Sequence, residues 1–246
     1  QAADAWGKAG QHTRAASLWL GLGNLPRAAE EWAEAGDHTS AATMWVGLGD
    51  HRLAAEAWTA AGEHTSAALQ WELAHEASRA ARSWSSAGEY RRAAILWDST
   101  GDHAEAAQAW ERDGELTEAA RRWEAAGDYE RAAVLWADAG CHDLAAQAFE
   151  HAGKLDRAAS EWEVAGDKRR AIEAWQSVGR HDQAARLWED LGEPANAAAA
   201  WAQACQYAAA ASTWHDLGDH GLAAQAWHAA GEHEAAASEW ESAGEV

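Results

Sequence analysis

Residues 27–39 read RAAEEWAEAGDHT, and variants of this phrase recur every thirteen residues along the whole chain. Tryptophan marks the register, from Trp6, Trp19 and Trp32 through to Trp227 and Trp240, with Phe149 standing in once. With Trp numbered as position 6 of each unit, position 2 is always Ala. Position 3 is Ala except at Ile172, and position 10 is Gly except at His75 and Cys205. A repeat this short cannot close a core of its own. Each unit must bury its apolar face against its neighbours, which restricts the chain to an array.

The repeat reads as one helix and one tight turn. Gly at position 10 can end a helix in the left-handed conformation without a Cβ penalty. Asp or Asn at position 11 can then cap the next helix. Positions 12, 2, 3, 6 and 9 fall on one face of a 3.6-residue period; in one unit these are His38, Ala41, Ala42, Trp45 and Leu48. A helix of about ten residues is marginal alone, and so short a turn sends the chain back antiparallel. Ala at positions 2 and 3 leaves hollows that Trp from a nearby helix can fill. The expected fold is all-α, a solenoid of about nineteen short antiparallel helices with a Trp/Ala core.

Composition alone points elsewhere. Leu, Ile, Val and Phe total only 25 residues beside a net charge of −21, a combination that ordinarily marks disorder. The rule presupposes too little apolar surface to bury. Here 18 Trp and the Ala pairs at helical spacing replace the missing aliphatics. The acidic balance, 40 Asp and Glu against 19 Lys and Arg, disfavours nucleic acid and anionic membrane surfaces as partners. No apolar run approaches a membrane span. The chain begins at Gln1 inside a repeat, as expected of an excerpt from a longer protein. Cys141 and Cys205 lie five helices apart, too far for a disulfide, which fits a reducing, cytoplasmic setting.

Residues 1–246 read as one continuous array without a linker. Pro26 and Pro194 stand at or beside turns, where a missing N–H does no harm. Position 5 alternates between small or polar and large residues, as in Ala5, Leu18, Glu31 and Met44. That alternation slips by one unit between Leu96 and Leu135, near residues 105–130. Nearly equivalent helices would tolerate the slip. The units that lose their turn glycine to His75 and Cys205 are the expected places of local distortion.

Gly127-Asp-Tyr-Glu-Arg-Ala-Ala133, followed by Trp136, resembles the Gly-x-Tyr-x-x-Ala stretch of tetratricopeptide repeats, and the likeness recurs over the whole chain. That family has 34 residues per repeat and longer helices, against 26 per helix pair here. The resemblance implies a right-handed α-solenoid of helical hairpins that holds peptides or proteins.

No motif in the chain carries catalysis, so no catalytic, cofactor or metal site is expected. Nine of the 13 histidines sit at position 12, among them His12, His38, His51 and His64. Neighbours along one edge are expected about 8–10 Å apart, too far to share one ion. Leu116, Leu155 and three Tyr at the same position argue that the ring packs at the helix start. The Trp ladder is compatible with a cage for cations or a stacking platform for bases. Core packing is the simpler reading, because Trp shares its face with the Ala pair. The leading expectation is a non-catalytic scaffold that binds or senses a protein or peptide within a larger protein. The alternative is a structural protein stacking head to tail through the uncapped units of Trp6 and Trp240 into a ring, tube or filament. A designed origin fits less well, since designs favour Lys, Glu and Leu and this chain uses 16 Arg against 3 Lys.

Overall fold

The computed structural model describes residues 1–244. Among these residues there are nineteen helices and no strand, and within α1–α10 and within α11–α19 each helix packs against its neighbours in chain order. No helix is long and apolar enough to cross a membrane. Contacts divide the chain into two compact units, Gln1–Ala126 and Gly127–Val246. The boundary falls inside the interval where the position-5 alternation slips.

The first unit holds α1 (Ala2–Lys8), α2 (His12–Gly21), α3 (Leu25–Glu34), α4 (His38–Leu48), α5 (His51–Ala60), α6 (His64–Leu73), α7 (Ala77–Ser86), α8 (Tyr90–Thr100), α9 (His103–Asp113) and α10 (Leu116–Ala125). The second holds α11 (Tyr129–Asp138), α12 (His142–His151), α13 (Leu155–Ala165), α14 (Lys168–Ser177), α15 (His181–Asp190), α16 (Pro194–Gln203), α17 (Tyr207–Asp216), α18 (His220–Ala230) and α19 (His233–Ala243).

One turn design serves throughout. After α3, Gly36 lies at φ 81°. Its N–H donates to the Ala33 carbonyl at 3.0 Å, and the Asp37 N–H donates to the Trp32 carbonyl at 2.9 Å, the paired bonds of a Schellman stop. Asp37 then opens α4 by accepting the Ser40 N–H on its carboxylate at 3.0 Å. A single residue thus closes one helix and caps the next. Asn24, Asp50, Asp128, Asp167 and Asp219 cap in the same way. Glu at this position, as at Glu63 and Glu89, makes no side-chain cap bond.

Distortion does not appear where the glycine is lost. His75 and Cys205 take φ of 58° and 59° and keep both Schellman bonds, with Glu76 N–H reaching the Trp71 carbonyl and Gln206 N–H the Trp201 carbonyl at 2.9 Å. The turn is held by both flanking helices, so the replacement residue is forced into the left-handed region and the cost appears as strain.

The core is narrower than the helical period implies. Ala at positions 2 and 3 is fully buried in nearly every unit, for example Ala41, Ala42, Ala119 and Ala120. Position 9 contributes little to the core: Leu22 is 71% exposed and Leu48 is exposed too, although Leu191 packs half-buried against it. Position 5 takes its place, with Ala109, Ala148, Leu187 and Ala200 buried. Tryptophan is core in only part of the array. Trp71, Trp84, Trp110, Trp123, Trp136, Trp162, Trp175 and Trp201 are buried, whereas Trp32, Trp45, Trp97 and Trp227 are half-buried and Trp6 is exposed. Cys141 and Cys205 are both free thiols.

Candidate functional site

Each buried Trp has a fixed environment built from its neighbours. In Trp84, Trp110, Trp123, Trp162, Trp175 and Trp201 the indole N–H donates to a carboxylate at position 7 of the preceding helix, twelve residues earlier. Trp84 reaches Glu72 at 2.5 Å, Trp162 reaches Glu150 at 2.8 Å and Trp201 reaches Glu189 at 2.7 Å. Trp123 and Trp175 pair likewise with Glu111 and Glu163. Where position 7 is Gly7 or Leu20, the buried indole nitrogens of Trp19 and Trp32 find no partner among the described residues. The ring face is often taken by an Arg at position 1 of the next unit. Arg79, Arg92 and Arg170 stand over Trp71, Trp84 and Trp162 at 4.6–4.7 Å. At these positions the cation on the aromatic face is the chain's own, which leaves no open cage there.

Four of the position-12 histidines do not pack as plain apolar rings. His12, His51, His142 and His220 reach position 5 of the next helix, nineteen residues on. His12 Nδ1 lies 2.8 Å from Glu31, His51 Nδ1 lies 2.9 Å from Gln70, and His142 Nδ1 lies 2.7 Å from Glu161. Where position 5 is Ala200 or Arg122, the Nδ1 atoms of His181 and His103 are buried without a partner. In the second unit one such pair gains a member. Glu239 of α19 accepts from His220 of α18 at 2.8 Å and from His215 of α17 at 2.7 Å. The His220 hydrogen bond, assisted by that of His215, holds the Glu239 carboxyl below the usual glutamate range against the burial that pushes it up.

One concavity lies in the first unit. It is a cleft of about 700 Å³ between α6, the turn at His75, α7 and α8. Trp84 and Leu96 form its apolar floor, Leu69 and Ile95 its walls, and Glu72 and Arg92 its charged rim. Leu69 is 47% exposed and Ile95 55%. Both occupy position 4, which elsewhere holds residues such as Asp4, Glu30, Gln108 and Arg121. They are 26 residues apart, one helix pair, so the fold brings them to the same side. The one other large aliphatic at this position, Val134, lines a smaller cleft of about 420 Å³ with Phe149 and Trp175 in the second unit.

Sequence reasoning did not single out Leu69, Ile95, His215 or Glu239. The signals are present all the same: an aliphatic side chain at an otherwise polar position 4, and a His followed nineteen residues later by Glu.

No known protein-family profile matches the chain, and no curated protein does. Solved structures do match, among them the crystal structure of BtubC (BKLC) from P. vanneervenii. That protein is 16% identical, with 98% of this chain and 89% of that chain covered, at a TM-score of 0.15. A superposition that loose leaves the fold resting on the chain's own helices and turns.

Proposed function

We propose that the chain is a non-catalytic helical-repeat scaffold, distantly tetratricopeptide-like, that binds an apolar segment of a protein or peptide. The observation that carries this reading is the cleft over Trp84. Its volume suits an anchoring side-chain cluster. Leu69 and Ile95 expose aliphatic surface at a position the repeat otherwise keeps polar, as expected of an interaction surface rather than a solvated face. Glu72 and Arg92 line the cleft while engaged with Trp84, which leaves the aliphatic side chains as its principal contact surface. A sensing role in a larger protein follows the same logic, with binding in the cleft as the input. The net charge of −21 disfavours nucleic acid and membrane surfaces, and the free thiols favour a reducing compartment such as the cytoplasm.

Panning a displayed peptide library against the full chain tests this. Enriched peptides should carry apolar anchors and lose binding to Ile95→Glu, a variant whose exposed position preserves folding. Enrichment that ignores Ile95→Glu, or none at all, overturns the reading. Self-assembly is the second reading, favoured by the exposed aliphatic side chains of Leu18, Leu20 and Leu22 on α2 and its following turn. Sedimentation of the full-length protein separates the two: ring or filament formation that Leu20→Glu abolishes supports assembly.

A further inference from the structure

Three consecutive helices of the second unit aim nitrogen and oxygen donors at one point. Glu239, 9% exposed, carries no lysine or arginine partner among the described residues. Each of its carboxylate oxygens is taken by a different imidazole, Oε1 by His215 Nδ1 and Oε2 by His220 Nδ1. The two rings stand nearly perpendicular, 69° apart, with centroids 5.8 Å from one another. The three donor atoms lie within 4.8 Å of each other.

The other bridges of this kind, His12 to Glu31 and His142 to Glu161, join one His to one Glu. The difference is His215 at position 7, where a carboxylate would otherwise receive the next indole N–H. His215 therefore adds a second nitrogen beside the repeat's ordinary pair. We propose that His215, His220 and Glu239 form a three-ligand site for a borderline dication of the Zn²⁺ class, clasping α17, α18 and α19.

The donor chemistry selects the ion. Two imidazoles and one carboxylate suit Zn²⁺ and its first-row neighbours, whereas Ca²⁺ and Mg²⁺ prefer all-oxygen shells. Zn²⁺ holds its ligands at roughly 2.0–2.2 Å, so tetrahedral donors stand about 3.3 Å apart. The two His–Glu239 contacts, at 2.7 and 2.8 Å, must open slightly to reach that as the ion enters between them. His215 can supply the movement, because it is exposed on the last turn of α17 and free to change rotamer. On binding, the ion takes the place of the Nδ1 protons that now bridge to Glu239; a neutral ring then carries its proton on Nε2, and a ring protonated on both nitrogens releases the Nδ1 proton to solvent. Solvent completes the coordination on the exposed side. The acidic surface draws dications toward it.

The test is calorimetric titration of the metal-stripped full chain with ZnCl₂ at pH 7.5, repeated with CoCl₂ while the visible absorption is recorded. The expected result is one tight ion per chain and a Co²⁺ spectrum of a low-coordinate, imidazole-containing site. His215→Ala removes an exposed ligand without disturbing the His220–Glu239 bridge and should weaken binding at least about tenfold. Glu239→Gln should do the same, with circular dichroism reporting whether the array stays folded. His142→Ala, at the two-residue bridge, should leave stoichiometry and affinity unchanged. No tight binding to the parent chain, or binding that His215→Ala leaves intact, overturns the proposal.

Discussion

Trp162 shows what one position of the repeat must satisfy. It is 2% exposed, donates its N–H to Glu150 and lies under the Arg170 guanidinium. Trp162→Ala removes the apolar contact and strands a carboxylate, and should destabilise the second unit by about 3–5 kcal/mol in denaturant unfolding. A loss under about 1 kcal/mol would mean that the Ala pairs alone hold these helices. The converse experiment uses a defect already present. Trp32 has a buried N–H without an acceptor, and the residue twelve positions earlier is the exposed Leu20. Leu20→Glu supplies the missing carboxylate and should stabilise by about 1 kcal/mol, the net worth of an ordinary hydrogen bond. No gain in midpoint would show that indole pairing does not govern stability at this position.

At the scale of the element, helix ends decide more than helix interiors. Cys205 is held at φ 59° by the same Schellman bonds that glycine makes elsewhere. Cys205→Gly should relieve about 1–2 kcal/mol of left-handed strain, less what the freer unfolded chain takes back. The net rise, near 1 kcal/mol, is readable as a higher unfolding midpoint. Asp37→Ala acts in the opposite direction. The Ser40 hydroxyl, and after it the Ser40 N–H, hold the Asp37 carboxyl below its ordinary range. A depressed acid stabilises the fold above its unfolded pKa and loses that contribution as pH falls through its folded value. The variant should therefore cost about 1 kcal/mol at pH 7. The gap between the two proteins should begin to close below about pH 4, where the unfolded carboxyl starts to protonate. A gap that persists undiminished at pH 2 would remove the cap as its cause.

For the molecule as a whole, charge is the dominant feature. The chain carries −21 with its 13 histidines neutral. Raising the ionic strength from about 0.01 M to about 1 M shortens the Debye length from about 30 Å to about 3 Å and screens that excess. Self-repulsion falls, and with Leu18, Leu20, Leu22 and Ile95 exposed, association should rise. Light scattering or sedimentation across this window measures it. A particle size that does not change would show that charge plays no part in keeping copies apart.

Helix count, turn positions and the Ala-Ala-Trp face were legible in the sequence because they are local. Three residues around Gly36 specify the stop, and spacing within ten residues specifies the face. The sequence by itself therefore determined an all-α repeat array. Tertiary packing decided which residues that face includes, admitting position 5 and leaving position-9 side chains such as Leu22 and Leu48 to solvent, because burial depends on where the next helix lies rather than on the period of one. It likewise decided that indoles meet carboxylates twelve residues back, that imidazoles meet carboxylates nineteen residues on, and that Leu69 and Ile95 flank one cleft. Those offsets are set by the lateral stagger of neighbouring helices. No single thirteen-residue unit contains both members of any such pair, and so the Glu239 cluster became visible only once three helices stood side by side.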